Sequence, residues 1–225
     1  MKKTKYINQK NNIINIIILI NIMPRYIIIE GGIGSGKTTL LNKVHNLHPD
    51  IPIIYEYIES PAGKHALSMF FNGSLDVTGF QYYIASYWFN NLFYCYKYDT
   101  VFIERGPLAA LAFVTENDFG SKEGYLSFVN FLIRICEIAG LKNIERRMIH
   151  YHAEASDLFN LISNNESNCL VFISASKQEL YYGVCIRNRP EERTKYDMDF
   201  LEANANKLWN IYLNPPNEIK HLIKK

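Results

Sequence analysis

Residues Gly31-Gly-Ile-Gly-Ser-Gly36-Lys37-Thr38 have the spacing GxxxxGK[ST], and they follow a short β-branched run, Arg25 to Glu30. Glycines at this spacing let the backbone curl so that the N–H groups of Gly31, Gly32, Ile33, Gly34, Ser35 and Gly36 turn towards one centre. The helix that should begin at Lys37 adds the partial positive charge of its N-terminus, and the combination is a phosphate cradle. Lys37 would reach the β- and γ-phosphates of a nucleoside triphosphate, the Thr38 hydroxyl would ligate Mg²⁺, and Thr39 is counted with the cradle. The competing reading is a glycine turn without a ligand. The other residues of chemical interest are charged groups at the ends of short apolar runs: Glu56, the pair Glu104-Arg105, and the cluster Arg187, Arg189, Glu192 and Arg193.

What receives the phosphoryl group must be decided by the rest of the chain. A guanine-reading NKxD is absent, and Asp76-Val-Thr-Gly79, which imitates a DxxG switch, has no apolar strand before it and reads as a turn. A motor ATPase would carry an acidic strand end followed by sensor residues, whereas the third strand ends in Glu104-Arg105. A small kinase remains. The 24 Lys and Arg against 22 Asp and Glu leave a net charge of +2, too little for an unselective hold on nucleic acid or anionic membranes. With 48% hydrophobic and 20% charged residues the chain can fill a core, so a globular protein is expected. Cys95, Cys136, Cys169 and Cys185 are widely separated and form no CxxC pair, which argues against zinc and disulfide scaffolds and suits the cytoplasm.

The elements that must position these groups alternate. Arg25 to Glu30 reads as a buried strand, Lys37 to Leu47 as a helix, Ile51 to Glu56 as a second short run, and Thr100 to Glu104 as a third strand. Between them, Thr78 to about Tyr98 is dense in aromatics and reads as a helix buried on most of its surface. Residues 107 to 117 and 121 to 163 read mainly as helices, and Asn168 to Ser174 as a fourth strand. Ser176 to Glu179 is a capping box, so a helix should start there. Arg187 to Lys195 reads as a charged loop, and Asp197 to Leu213 as a last helix ended by Pro215-Pro216. This alternation predicts an α/β fold: a parallel sheet flanked by helices on both faces, with ligands beyond the carboxyl ends of the strands.

Five segments in order, GGIGSGKTT, Glu56, Phe80-Gln81, Glu104-Arg105 and Arg187-Asn-Arg-Pro-Glu-Glu192 followed by MDFLEANANKLW, resemble the deoxynucleoside kinase family, which includes cellular deoxynucleoside kinases and herpesvirus-type thymidine kinases. The similarity spans about residues 25 to 213. It implies a P-loop kinase fold with an arginine-rich lid, and ATP, Mg²⁺ and a deoxynucleoside as partners. It implies Glu56 as the base that accepts the 5′-hydroxyl proton, the alternative being a solvated strand-end carboxylate, with Glu59 the weaker candidate. Arg105 would orient Glu56 and stabilise the transferring phosphoryl group, and Glu104 would act on Mg²⁺ through water; Glu104 and Arg105 could instead form a structural ion pair. Gln81 would read the nucleobase, although Thr78 to Gln81 also fits a capping box with Gln81 at its third position. Phe80 is placed by the family pattern, whereas Tyr87 and Trp88 read as core, and base preference would be set around Gln81, Ala110 and Phe113. Arg187, Arg189 and Arg193 would neutralise the γ-phosphoryl oxygens, and Glu192 would contact the sugar 3′-hydroxyl.

The chain departs from the family in four places. Gly106 stands for a serine, and Phe70 or Phe71 for a sugar-binding tyrosine. Gly183 stands for a further lid arginine, and Tyr57 and Pro61 replace a Glu-Pro and a tryptophan after Glu56. Two other functions stay open, a deoxynucleoside monophosphate kinase and a P-loop protein that binds nucleotide without catalysis; the carboxylates Glu56 and Glu59 favour a neutral acceptor. The expected organisation is a leader, residues 1–23, and a kinase domain, residues 24–225. Ile13 to Ile22 is about half the ~20 residues of a membrane span, so the leader reads as non-essential or disordered, with Met23 a candidate start. A homodimer follows from the resemblance alone.

Overall fold

The computed structural model describes residues 23–187, 189, 192 and 196–224. Strand β1 (Arg25–Gly31) is apolar on both faces because both are covered: Tyr26 and Ile28 point into one core, Ile27 and Ile29 into the other. It pairs in parallel with β3 (Thr100–Glu104) on one side and β5 (Cys169–Ser174) on the other. Short β2 (Ile53–Ile54) adds to β3, and β4 (Glu145–His150) to β5, giving five parallel strands in the order β2-β3-β1-β5-β4. The chain moves to opposite sides of β1 in its two halves, so the loop after β1 sits at the topological switch point, where such sheets bind ligands.

Helices α1 (Lys37–Leu47) and α5 (Ala155–Ile162) cover one face through Leu40, Leu41, Val44, Leu158 and Ile162. The other face is covered by α3 (Val77–Leu92), α4 (Lys122–Ala139) and α7 (Met198–Leu213). Helix α2 (Pro61–Phe71), capped by Ser60 with Pro61 in its first turn, packs against the latter layer. A third cluster, Ile33, Leu180, Val184 and Leu201, fastens α6 (Lys177–Arg187) and α7 to the P-loop. Among the described residues no helix is long and apolar enough to cross a membrane.

Several sequence expectations are corrected. The stretch 121 to 163 contains β4 between α4 and α5, so the sheet has five strands where four were read. Residues 107–112 and 116–119 are 3₁₀ turns rather than α-helix. Helix α3 ends at Leu92 and buries one face, with Tyr82 and Phe89 39% and 41% exposed on the other. Asp76 to Gly79 is the start of this helix: Asp76 accepts from the Gly79 N–H at 2.6 Å, which makes Asp76 the cap and removes Gln81 from the capping position. The Ser176–Glu179 capping box forms as read. Residues 1–22 of the expected 1–23 leader, and Arg193, lie outside the described residues.

Candidate active site

The P-loop closes on its own lysine. Gly36, in the left-handed region at φ 84°, caps α1, whose first turn carries no side-chain cap and no acidic residue, so its N–H groups face the loop. Lys37 is fully buried and donates from Nζ to the carbonyls of Gly31 at 3.2 Å and Gly32 at 3.1 Å. Burial, then the neighbouring Arg105 guanidinium, lowers its ammonium to about 7 against the pull of Glu56 and Glu104. Ser35 lies in the loop with a buried hydroxyl that has no partner, Ile33 anchors it to α6, and Thr39 is exposed on the first turn of α1. Thr38 donates from Oγ1 to Glu104 Oε1 at 2.5 Å, which joins two hard oxygen donors of the kind a divalent ion takes.

Glu56 lies two residues beyond β2 and is held from both ends. Its N–H donates to Glu104 Oε2 at 3.3 Å, and its carboxylate Oε1 accepts from Arg105 Nε at 2.8 Å. Arg105 leaves β3 in the left-handed region at φ 62°, its N–H on the Ile29 carbonyl at 2.9 Å. A bulky residue there carries strain, of the kind stored at functional sites. The guanidinium donates towards Gly31 O at 3.5 Å, stands over the Phe113 ring at 5.4 Å, and has Nη1 4.0 Å from Glu30 Oε2. The structural pair weighed for Glu104 with Arg105 is therefore not formed; Arg105 pairs with Glu56 and approaches Glu30. Burial alone would raise the Glu56 carboxyl, but Arg105, Lys37 and Arg187 outweigh it and hold it below the ordinary range. Glu104 goes the other way, raised by burial and then by the charge of Glu56. Two neighbouring carboxylates pushed apart in this way mark a candidate functional site.

Beyond Glu56 opens a cavity of about 660 Å³, lined by Glu56, Phe80, Gln81, Arg105, Ala110, Phe113, Arg187 and Glu192 together with Ile33, Trp88, Tyr196 and Asn204. Phe70 and Phe71 line it too, and Phe70 stacks on Phe80 with centroids 4.7 Å apart and planes 7° from parallel. Trp88 is both core and cavity wall. The carboxamide Oε1 of Gln81 is buried without a partner. On the lid side, Arg189 bonds Glu192 at 2.9 Å and Glu59 at 3.0 Å, and Arg187 stands 3.8 Å from Glu192. Glu59 is thereby occupied as a lid partner and does not line the cavity.

Three residues of the site escaped the sequence reading. Glu30, fully buried, accepts from the Gly106 N–H at 2.8 Å and from the Tyr212 hydroxyl at 3.1 Å, supporting the turn that carries Arg105. A charge closing an otherwise apolar central strand was the available signal. Asn204 interrupts the apolar stripe Leu201, Leu208 and Ile211 of α7 and presents a buried, unpartnered Oδ1. Tyr196 lines the cavity from the lid side and stacks on Phe200 at 4.8 Å. The departures also have causes: a β-carbon on Gly106 would lie 3.1 Å from the Ile28 side chain, and Pro61 starts α2.

No family model matches the sequence, and neither does any curated protein. Among solved structures, that of a deoxyadenosine kinase from M. mycoides with bound dATP is 15% identical, with 88% of each chain covered and a TM-score of 0.54. A second structure of deoxyadenosine kinase from M. mycoides, with the products dCMP and a flexible dCDP, is 13% identical over 88% of each chain with a TM-score of 0.55. Taken with the parallel sheet, the P-loop after its central strand and the cavity beside it, these matches show that the chain has the fold of a deoxynucleoside kinase.

Proposed function

We propose that residues 24–225 form a kinase domain that transfers the γ-phosphoryl group of ATP to the 5′-hydroxyl of a deoxynucleoside, a cytoplasmic salvage reaction. The observation that carries this reading is the 2.8 Å bond from Arg105 to Glu56 at the border between the P-loop and the cavity. Glu56 is kept ionised there and can accept the hydroxyl proton as the new P–O bond forms. Backbone N–H groups of residues 31–36 and the Lys37 ammonium hold the phosphates. Arg105 and Arg187 face the oxygens on which charge develops. Magnesium suits the Thr38 and Glu104 oxygens, where it would neutralise β- and γ-phosphate charge. Gln81 and Asn204 offer unpartnered acceptors to the nucleoside, and Glu192 reaches the cavity for the sugar.

A monophosphate acceptor is disfavoured by charge. Among the described residues the cavity guanidiniums already face carboxylates, Arg105 with Glu56 and Arg187 with Glu192, and an added phosphate would meet Glu56 and Glu192 first. The test is a phosphotransfer assay with ATP and Mg²⁺ against the four deoxynucleosides and their monophosphates. Turnover of deoxynucleosides is expected. Turnover confined to monophosphates would overturn the assignment of the acceptor, and no turnover of any compound would make the chain a nucleotide-binding protein without catalysis.

A further inference from the structure

Two buried atoms beside Glu56 and its partner face each other without a bond. Arg105 Nη1 and Glu30 Oε2 stand 4.0 Å apart, and among the described residues neither has a hydrogen-bond partner. A buried donor and a buried acceptor are costly to leave bare, and these two are complementary, a guanidinium N–H and a carboxylate oxygen. Another edge of the guanidinium is engaged, since Nε donates to Glu56 at 2.8 Å. Arg105 therefore stands between two carboxylates, bonded to the one that lines the cavity and short of the one that does not.

What aims the second carboxylate is Tyr212. Strand pairing on both sides of β1 fixes the Glu30 backbone, but the last side-chain torsion of a glutamate is broad and does not hold a carboxylate in one plane. Two donors do so by converging on one oxygen. Glu30 Oε1 accepts from the Gly106 N–H at 2.8 Å and from the Tyr212 hydroxyl at 3.1 Å, which leaves Oε2 for Arg105. The Tyr212 ring is fully buried in the last turn of α7, and Arg146 of β4 donates to the carbonyls of Tyr212 at 3.1 Å and Leu213 at 3.3 Å. The helix end and the sheet are locked together. Burial and then the charge of Glu30 raise the phenol well above its ordinary value, so it remains a donor.

Tyr212 and Glu30 do not line the cavity, yet their contacts end on Arg105, which does. A guanidinium is planar, so a hold on one edge sets the direction of the others. We propose that Tyr212 is a positioning residue for phosphoryl transfer: through Glu30 it sets the plane of Arg105, and with it the bond to Glu56 and the edge offered to the transferring group. The competing account is a tyrosine that fills the core and bonds a neighbour, with no effect on the chemistry. The inference rests on the kinase reading above, in which Glu56 takes the acceptor's proton and Arg105 faces the phosphoryl group.

The test is steady-state phosphotransfer by the full chain with ATP, Mg²⁺ and a deoxynucleoside, as wild type, Tyr212→Phe, Glu30→Gln and the double variant. Tyr212→Phe keeps the ring that fills the core and removes only the hydroxyl. It should lower kcat by about 10- to 100-fold, the scale of a misplacement of about 1 Å at a reacting group. KM for ATP and for the deoxynucleoside should stay unchanged, because Tyr212 lines no part of the cavity. The double variant should be no slower than Glu30→Gln alone, since residues that act through one another do not contribute independently. Glu30→Asp is a second check: it keeps the charge and shortens the reach, and kcat should fall there too. An unchanged kcat in Tyr212→Phe or in Glu30→Asp, a rise in KM alone, or losses that multiply in the double variant overturns the inference. A wild type that turns over no deoxynucleoside overturns the kinase reading, and this inference falls with it.

Discussion

Gly183 of α6 rests on Gly34 of the P-loop so closely that a β-carbon on Gly183 would stand 2.0 Å from the Gly34 carbonyl oxygen. The contact is reciprocal, since a β-carbon on Gly34, at φ 84°, would stand 2.2 Å from Leu180 O. The arginine that the family resemblance leads one to expect at 183 has no room, because backbone cannot yield as a flexible side chain can. Helix α6, which ends in Arg187, is docked directly on the loop it serves. Gly183→Ala should force the two apart, at about 1–3 kcal/mol of overpacking. A drop in melting temperature and a loss of at least about tenfold in tripolyphosphate affinity would register it; a variant that melts and binds like the wild type would show that α6 does not set the loop.

Glu56→Gln keeps the shape of the side chain but removes the proton acceptor. It should lower kcat by about 10² to 10⁴, the range for a general base, while ATP affinity stays nearly intact. Single-turnover phosphotransfer together with ATP titration separates the two effects. An unchanged rate removes Glu56 from the chemistry.

Gln81→Leu deletes a carboxamide whose Oε1 is buried without a partner. Replacing an unsatisfied buried group by an apolar one of similar size is neutral or stabilising, so the melting temperature should hold or rise. A base-recognising amide predicts a fall of about 5- to 150-fold in kcat/KM for the deoxynucleoside, from the ~1–3 kcal/mol cost of leaving the substrate's polar groups unpaired. Stability and activity moving in opposite directions is the signature to look for.

Glu30→Gln tests the support behind Arg105 through pH. Burial, only partly offset by Arg105, raises the Glu30 carboxyl above its ordinary value. A carboxyl raised on folding holds its proton in the folded chain at pH values where the unfolded chain has lost it. Stability therefore falls as pH rises from about 4.3 through the folded value, and the full cost persists above that window. Glu30→Gln should stabilise the protein by about 0.5–2 kcal/mol at pH 8 and not at all near pH 4, as measured by denaturant unfolding. It should also slow phosphotransfer, because Arg105 loses its second carboxylate.

The P-loop could be read from the sequence because its chemistry is local: glycines, lysine and threonine at fixed spacing between a strand and a helix. The same holds for β1, whose run Tyr26 to Ile29 is apolar because both faces of the strand are covered. By contrast, β4 could not be read as a strand. Its sequence ERRMIH buries only Ile149, since an edge position leaves Arg146, Arg147 and Met148 partly or largely exposed, and no alternation results. The capping alternative for Gln81 falls because two caps compete within five residues, and Asp76 wins by reaching the Gly79 N–H. Glu30 matters through Gly106 and Tyr212, 76 and 182 residues away, and Asn204 through the cavity it lines, and spacing along the chain encodes neither. Helix α2 was not read, although Ser60-Pro61 is a start signal of the ordinary kind.

The place of β1 in the middle of the sheet also sets an order of events during synthesis. This strand is translated before the others yet is flanked by Thr100–Glu104 on one edge and Cys169–Ser174 on the other. Until residue 174 has left the ribosome, one edge of a strongly apolar strand stays without its partner. Such long-range pairings are slow to close and open to association with other chains. The nascent chain therefore cannot hold a finished phosphate cradle early, and its dependence on chaperones should be greatest until residue 174 has emerged.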